Sequence, residues 1–225
     1  MVFVPLLAAL PPVVVNSMAV ESVPSPAYSK TTTGADLVLA QAVIPDAQTI
    51  VEENNNQITI SGGEQAGSNL FYGFEQFDVP EDAIANFLAN PDTQRVIGHI
   101  TGDTSSTIDG LLTITGGNAD LFIINPAGIL FGPNAQLNLP ATFTATTAQG
   151  MRFGEHWFSA TGENTMQALT GAPSGFAFSE TAGAIVNLAD LATEQGLTLA
   201  AGSIIDLGSL HSKNGPVQIL SQTEG

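Results

Sequence analysis

The feature that most constrains this chain is the alternation of short apolar bursts with turn residues. In "ADLFIINPAGILFGPNAQL" (119–137), two apolar runs surround an Asn-Pro turn and are followed at once by a Gly-Pro turn. Comparable bursts recur from about residue 43, as in "NQITISGG" (56–63) and "AGAIVNLADLATEQGLTLAAGSIIDLGSL" (182–210). Bursts this short, bounded by Gly, Pro and Asn, predict many short strands and an all-β fold.

Three all-β architectures fit such a series: a sandwich, a barrel and a β-solenoid. Sandwich strands are usually longer and reverse through hairpin turns, whereas the turn residues here indicate corners. This favours a solenoid with coils of about 20–25 residues, and so roughly seven to nine coils after residue 43. The segment "PEDAIANFLA" (80–89) fits a helix starting at Pro80 and fits a strand equally well.

The corners themselves have a recognisable design. Asn125–Gly128 (Asn-Pro-Ala-Gly) matches a type I turn, and Pro126 stops the preceding strand because it lacks an N–H. Gly132–Asn134 predicts a second corner, in which Asn can adopt a positive φ, and Asn90–Thr93 repeats the Asn-Pro design. Three short strands and two corners predict a triangular or L-shaped coil.

Charge and cysteine content exclude several functions. The net charge of −17 repels phosphate backbones and anionic lipid heads, which argues against nucleic-acid binding and stable membrane insertion. The chain has no cysteine, which excludes disulfides and Cys-ligated metals. The apolar stretch 1–19 is too short and too interrupted by proline to span a bilayer, although it resembles a secretory leader without preceding basic residues. We therefore expect a leader at 1–42, cleaved after Ala19 or Ala42, and one domain at 43–225.

Few residues in the sequence are arranged in a way that could support catalysis. Solenoids can host polysaccharide-degrading enzymes, which need clustered acids. The adjacent pairs Glu52–Glu53 and Glu81–Asp82 lie in polar, turn-like contexts that indicate solvated faces. His99, His156 and His211 have no ligand or nucleophile partner at useful spacing, so we predict structural roles. No catalytic residue, metal or cofactor is predicted.

A binding module is the remaining alternative, with a surface carbohydrate or protein as its ligand. Trp157 and Phe158 either form an exposed patch or cover the side of the solenoid. Four threonines in one stretch either form a flat binding face or are ordinary strand residues: Thr142, Thr144, Thr146 and Thr147. The terminal "VQILSQTEG" (217–225) is strand-like without a polar cap, which predicts an uncovered last coil.

The sequence also resembles a known protein family. "ITGDTSSTIDGLLTITGGNADLFIINPAGILFGPNAQL" (100–137), continuing through "ATFTATTAQGMRFG", resembles the filamentous haemagglutinin N-terminal domain, the secretion domain of two-partner secretion exoproteins, in the versions common in cyanobacteria. The similarity extends from about residue 43, through "NLFYGFEQFDV", to "GFAFSETAGAIV". Four residues match the family's Asn-Pro-Asn-Gly-Ile motif, with Ala127 replacing the middle Asn: Asn125, Pro126, Gly128 and Ile129. An upstream Asn-Pro-Asn-Leu motif is matched only by its first two residues, Asn90 and Pro91.

The resemblance implies a right-handed parallel β-helix (β-solenoid) with short extra-helical strands or loops. It further implies recognition in the periplasm, through these two motifs, by the POTRA domains of an outer-membrane β-barrel transporter. The domain would then nucleate β-helix folding of an exported, secreted or cell-surface protein. Such exoproteins are often adhesins, haemagglutinins or cytolysins, with that activity located beyond the secretion domain.

Overall fold

The computed structural model describes residues 42–221, so the predicted leader, except Ala42, and residues 222–225 lie outside the described part. Apart from a 3-10 turn at Met166–Ala168, the regular structure there is β. Within 42–221 there is no helix long and apolar enough to cross a membrane.

The strands form four groups along the chain. The first group is β1 (Val43–Pro45), β2 (Thr49–Asn54), β3 (Gln57–Gly62), β4 (Glu64–Ala66) and β5 (Asn69–Phe77). The second group is β6 (Ile84–Leu88), β7 (Arg95–Ile100), β8 (Ser106–Ile108), β9 (Leu111–Thr115), β10 (Asp120–Ile124), β11 (Ile129–Phe131), β12 (Gln136–Asn138) and β13 (Phe143–Thr146). The third group is β14 (Gly150–Phe153), β15 (His156–Ser159) and β16 (Pro173–Ala177). The last group is β17 (Ala184–Asn187), β18 (Asp190–Thr193), β19 (Leu197–Ala201), β20 (Ser203–Asp206), β21 (Ser209–Ser212) and β22 (Val217–Ser221).

Most of these strands stack in parallel to form a triangular β-helix. Sheet A runs β5-β7-β10-β13-β19-β22, sheet B runs β3-β6-β9-β12, and sheet C runs β8-β11-β17-β20. The chain visits sheets B, A and C in turn, and β18 and β21 continue the face of sheet B. In sheet A, Asn69 pairs with Arg95 and Leu121 with Phe143, so one coil takes about 25 residues. The predicted parallel β-helix is confirmed.

The number of coils differs from the prediction. Sheet A has six parallel strands in the described part, rather than seven to nine. The difference arises because the chain leaves the β-helix between β13 and β17. There it forms a separate antiparallel sheet, β15-β14-β16, which we call the excursion sheet.

The segment 80–89 is a strand, so its helical alternative is wrong. Ile84–Leu88 forms β6, which is paired on one side with β3 and on the other with β9. Phe87 is fully buried in the core between its register partners Ile60 and Ile114. Backbone hydrogen bonds from both neighbouring coils decide the conformation, since the local residue preferences were balanced.

The middle strands of sheet A are buried on both faces. In β10, Leu121 and Ile123 point into the β-helix, whereas Phe122 and Ile124 point outward against the excursion sheet. Burial on both faces explains why "DLFII" is a continuous apolar run rather than an alternating one.

The first coil is bordered by antiparallel strands that the corner pattern did not predict. β2 pairs with β3, and β1 and β4 both pair with β5. The β2–β3 hairpin turns at Asn55 and Asn56, whose φ angles of 48° and 63° are tolerated better by Asn than by most residues.

Candidate functional site

Asn125 closes the corner where the chain leaves sheet A. The Gly128 N–H donates to the Asn125 carbonyl at 3.1 Å, which confirms the predicted turn. The Asn125 side chain stabilises the same turn by accepting the Ala127 N–H at 2.9 Å. Its amide nitrogen donates to the Thr104 carbonyl and to Ser106 Oγ of the preceding coil, both at 3.0 Å. One side chain therefore shapes the turn and joins two coils.

The other residues of this motif have structural roles in the folded domain. Asn125 is fully buried and Ile129 is 2% exposed, packed in the core, whereas Pro126 is half-buried. Gly128 has a φ of 133°, and a Cβ there would stand 3.2 Å from the Ala184 carbonyl oxygen. This position therefore requires glycine. In the folded state, the Asn125 and Ile129 side chains are inaccessible to a partner.

The Asn90 corner has the same turn but a different environment. The Thr93 N–H donates to the Asn90 carbonyl at 3.0 Å, and Asn90 Oδ1 accepts the Asp92 N–H at 2.9 Å. Asn90, Pro91 and Asp92 are all exposed. The side chain of Asn90 makes no hydrogen bond to another coil among residues 42–221. Of the two motifs, this one offers its side chains to solvent.

The structure does not bring the two motifs together. Asn90 precedes β7, at the edge where the chain enters sheet A, and Asn125 follows β10, at the edge where it leaves. Because β7 and β10 are parallel neighbours, the two corners lie one coil apart at opposite ends of strands about 17 Å long. The outer face of sheet A between them is covered by the excursion sheet.

Sequence reasoning missed a set of aspartates that join successive coils. Each carboxylate accepts a backbone N–H from the next coil: Asp78 from Thr107 at 2.6 Å, Asp109 from Asn134 at 2.9 Å, and Asp120 from Thr142 at 3.1 Å. The Asn134 N–H lies at a coil corner, the Thr142 N–H lies just before β13, and the Thr107 N–H lies in β8, the edge strand of sheet C. In each place a side-chain acceptor takes the place of a carbonyl. Asn134 is held in this way without the positive φ that the sequence allowed. The sequence signal that could have predicted these contacts is an aspartate next to each corner.

The acidic pairs and the histidines considered as catalytic candidates are dispersed in the described part of the chain. Glu52–Glu53 and Glu81–Asp82 are exposed. Within residues 42–221, no three His, Asp or Glu side chains lie close enough together to hold a metal ion. His156 and His211 are exposed, and His99 is buried beside Phe158 at a ring distance of 5.1 Å.

Of the two binding faces considered from the sequence, the aromatic one is half exposed and the threonine one is buried. Phe158 is fully buried and covers the side of the β-helix, whereas Trp157, on the opposite face of β15, is 53% exposed. Thr144, Thr146 and Thr147 are buried, so the flat threonine face is wrong. All four residues of β13 are buried, so this strand has no exposed face.

Comparisons with known proteins agree with this architecture. The sequence profile of the TPS secretion domain matches residues 38–225. Among solved structures, the HMW1 secretion domain from Haemophilus influenzae matches with a TM-score of 0.54 and 19% identity over 77% of this chain. This chain spans 42% of the length of that HMW1 chain. The filamentous hemagglutinin secretion domain matches with a TM-score of 0.43 and 13% identity, over 80% of this chain and 100% of that one. No curated protein matches the sequence.

The family assignment rests on the profile, which covers most of the chain, and the HMW1 match supports the β-helix fold. The family consists of secretion domains, and its proteins are exported to the medium or the cell surface. The chain therefore belongs to the TPS secretion domain family: it carries the secretion domain of a two-partner secretion exoprotein and is not an enzyme.

Proposed function

We propose that the POTRA domains of an outer-membrane β-barrel transporter recognise this domain in the periplasm, before its third coil closes. The burial of Asn125 carries this proposal, because a side chain with no exposure can contact a partner only while the coil is open. The recognition residues are Asn125, Pro126, Gly128 and Ile129, together with Asn90 and Pro91. An extended segment around these residues would add as a strand to a sheet edge of the transporter.

The same residues then serve the fold. After release, the Asn125 amide bonds to the coil before it, and Ile129 enters the core. Binding and folding therefore compete for the Asn125 motif, and closure of the coil releases that motif from the transporter. Asn90 and Pro91, which stay exposed, provide a contact that persists as the domain folds.

We further propose that the domain nucleates β-helix folding of the exported protein. Antiparallel strands border the first coil, whereas β22 at the other end of sheet A exposes Val217, Ile219 and Leu220. Such an edge is a template for a following coil, because each coil of a solenoid contacts only its neighbours. The predicted leader (1–42) would direct the chain to the periplasm. The Ala42 carbonyl accepts the Asp78 N–H at 2.8 Å, which favours cleavage after Ala19.

Transporter recognition can be tested by measuring how much of each variant is exported from cells that contain the transporter. Asn90→Ala and Pro126→Ala should each lower the secreted amount at least tenfold while intracellular protein persists. Asn118→Ala is the matched control, since Asn118 is an exposed asparagine at the corresponding corner of the next coil, without a following proline. Secretion of Asn90→Ala at the wild-type level would contradict recognition through this motif.

A further inference from the structure

Three segments far apart in the chain line one cavity above Gly73, outside the two motifs. They are the turn after β1, which carries Asp46, the outer face of sheet A, which carries His99, and the loop after β15, which carries Glu163. The cavity has a volume of about 430 Å³ and is also lined by Glu64. A side chain at Gly73 would collide with Asp46 Oδ2 and stand 3.1 Å from His99 Nε2, so this glycine keeps the floor of the cavity open.

His99 presents an unused hydrogen-bond acceptor to this cavity. The residue is 7% exposed, and its Nδ1 lies 3.2 Å from the Ala160 carbonyl oxygen. Because a carbonyl only accepts, Nδ1 carries the hydrogen and Nε2 of the neutral ring is an acceptor. Burial lowers the pKa of His99, against smaller opposing effects of Ala160 and Asp46, so the neutral ring is favoured. None of the residues that the structure describes donates to Nε2.

Asp46 supplies a second acceptor that is fixed in place. Its Oδ1 accepts the N–H groups of Gln48 at 3.0 Å and Thr49 at 2.9 Å, which holds the carboxylate while Oδ2 faces the cavity. Within residues 42–221, no donor reaches Oδ2, and the lining of the cavity has no Lys or Arg to offset the charges of Asp46 and the two glutamates. An acidic space with two unused acceptors favours a cationic hydrogen-bond donor.

The separation of the two acceptors selects the kind of cation. Asp46 Oδ2 and His99 Nε2 are more than 4.0 Å apart, and both lie close to the point that a Gly73 Cβ would occupy. A tetrahedral metal ion with bonds of about 2.0–2.1 Å holds two ligand atoms about 3.4 Å apart, which is closer than these two atoms are. An ammonium nitrogen that donates two hydrogen bonds of about 2.8 Å at a tetrahedral angle spans about 4.6 Å. The geometry therefore fits an organic ammonium group.

We propose that the cavity binds an aliphatic diamine, with one ammonium group donating to Asp46 Oδ2 and His99 Nε2. The second ammonium group then lies towards Glu64 and Glu163, because the first group leaves their charges uncompensated. Phe71, which also lines the cavity, provides apolar surface for the methylene chain between the two groups.

The diamine would join the turn after β1 and the loop after β15 to the outer face of sheet A. These three segments are brought together only by folding, so the ligand binds the folded domain in preference to the unfolded chain. Addition of the diamine should therefore raise the unfolding temperature in a concentration-dependent manner. This proposal is independent of transporter recognition.

The test is titration of the purified full chain with the diamine putrescine at constant ionic strength, followed by calorimetry and by NMR of the histidine rings. We expect the His99 ring resonances to shift, whereas those of the exposed His156 and His211 stay in place. n-Butylamine, which has the same carbon chain and one ammonium group, should bind at least tenfold more weakly. Asp46→Asn, which keeps the Oδ1 acceptor of the turn but replaces Oδ2 by a donor, should weaken putrescine binding at least tenfold.

Glu163→Gln tests the second ammonium group. Because Glu163 is exposed, the substitution should leave the fold unchanged, lower the affinity for putrescine at least threefold and leave the affinity for n-butylamine as it is. Glu155→Gln is the matched control, since the Glu155 side chain is 94% exposed and does not line the cavity. This variant should bind putrescine as wild type does.

Four results would overturn the proposal. The first is an unmoved His99 ring at saturating putrescine, and the second is wild-type affinity in Asp46→Asn, with its fold verified by circular dichroism. The third is equal affinity for putrescine and n-butylamine, which would contradict a diamine site. The fourth is equal weakening in Glu155→Gln and Glu163→Gln, which would assign the binding to general attraction by the acidic surface.

Discussion

Replacement of Asn125 by alanine tests how the Asn-Pro motif stabilises the folded domain. The change removes three hydrogen bonds and leaves the Thr104 carbonyl and the Ala127 N–H without their side-chain partner at a buried corner. Each lost bond contributes about 0.5–1.5 kcal/mol, and a buried group left unpaired costs about 1–3 kcal/mol. Because water partly reaches the turn once the side chain is gone, we expect the free energy of unfolding to fall by about 3 kcal/mol.

Asn90→Ala is the matched comparison, because it removes the same turn contact from an exposed corner. Its Oδ1 accepts only the Asp92 N–H, which water can satisfy after the substitution. We expect a loss below about 1 kcal/mol. Urea unfolding of both purified variants, followed by far-ultraviolet circular dichroism, measures the two losses on one scale.

The comparison separates folding from recognition. If both variants lose export but only Asn125→Ala loses stability, Asn90 acts through contact with the transporter. Equal urea midpoints for Asn125→Ala and wild type would refute the reasoning that its buried hydrogen bonds hold two coils together. A large stability loss in Asn90→Ala would refute the contrast between the two corners.

Four further substitutions, one of them a control, probe the packing, the backbone and a buried hydroxyl. Phe158→Ala should destabilise the domain by about 3–5 kcal/mol in urea unfolding, because Phe158 is fully buried between Phe71 and His99. Trp157→Ala is the control: because Trp157 is 53% exposed, this variant should lose far less stability. Gly128→Ala should cost about 1–3 kcal/mol by the same assay, since its φ of 133° strains any other residue. Burial raises the pKa of Tyr72 to about 12, so the neutral hydroxyl favours the fold. The contribution of the neutral Tyr72 hydroxyl to stability should be fully present below pH 10 and should be lost as the pH rises towards 12. Tyr72→Phe should remove that pH dependence.

The sequence determined the architecture because corner chemistry is local. The Asn125–Gly128 turn and the bursts on either side of it depend on neighbouring residues, and they were predicted correctly. The β6 strand was ambiguous because its conformation depends on hydrogen bonds to coils before and after it. The number of coils was overestimated because the excursion sheet has the same short-strand pattern as the coils themselves.

The accessibility of the motif could not be predicted from the sequence. Asn90 and Asn125 have the same local turn signal, and only the stacking of coils buries one and exposes the other. The aspartate contacts of Asp78, Asp109 and Asp120 depend on the register between coils, which no single sequence pattern specifies.

The most direct test introduces a pair of cysteines into the chain, which has none of its own. Thr107 and Leu130 are register partners on adjacent strands of sheet C, within reach of a disulfide, so the pair Thr107→Cys with Leu130→Cys locks the Asn125 corner. Binding of purified POTRA domains from the paired transporter is compared for the oxidised and reduced double variant, with Thr107→Cys alone as control. We predict at least tenfold weaker binding when the corner is locked, and equal binding in both states would contradict recognition of the open coil.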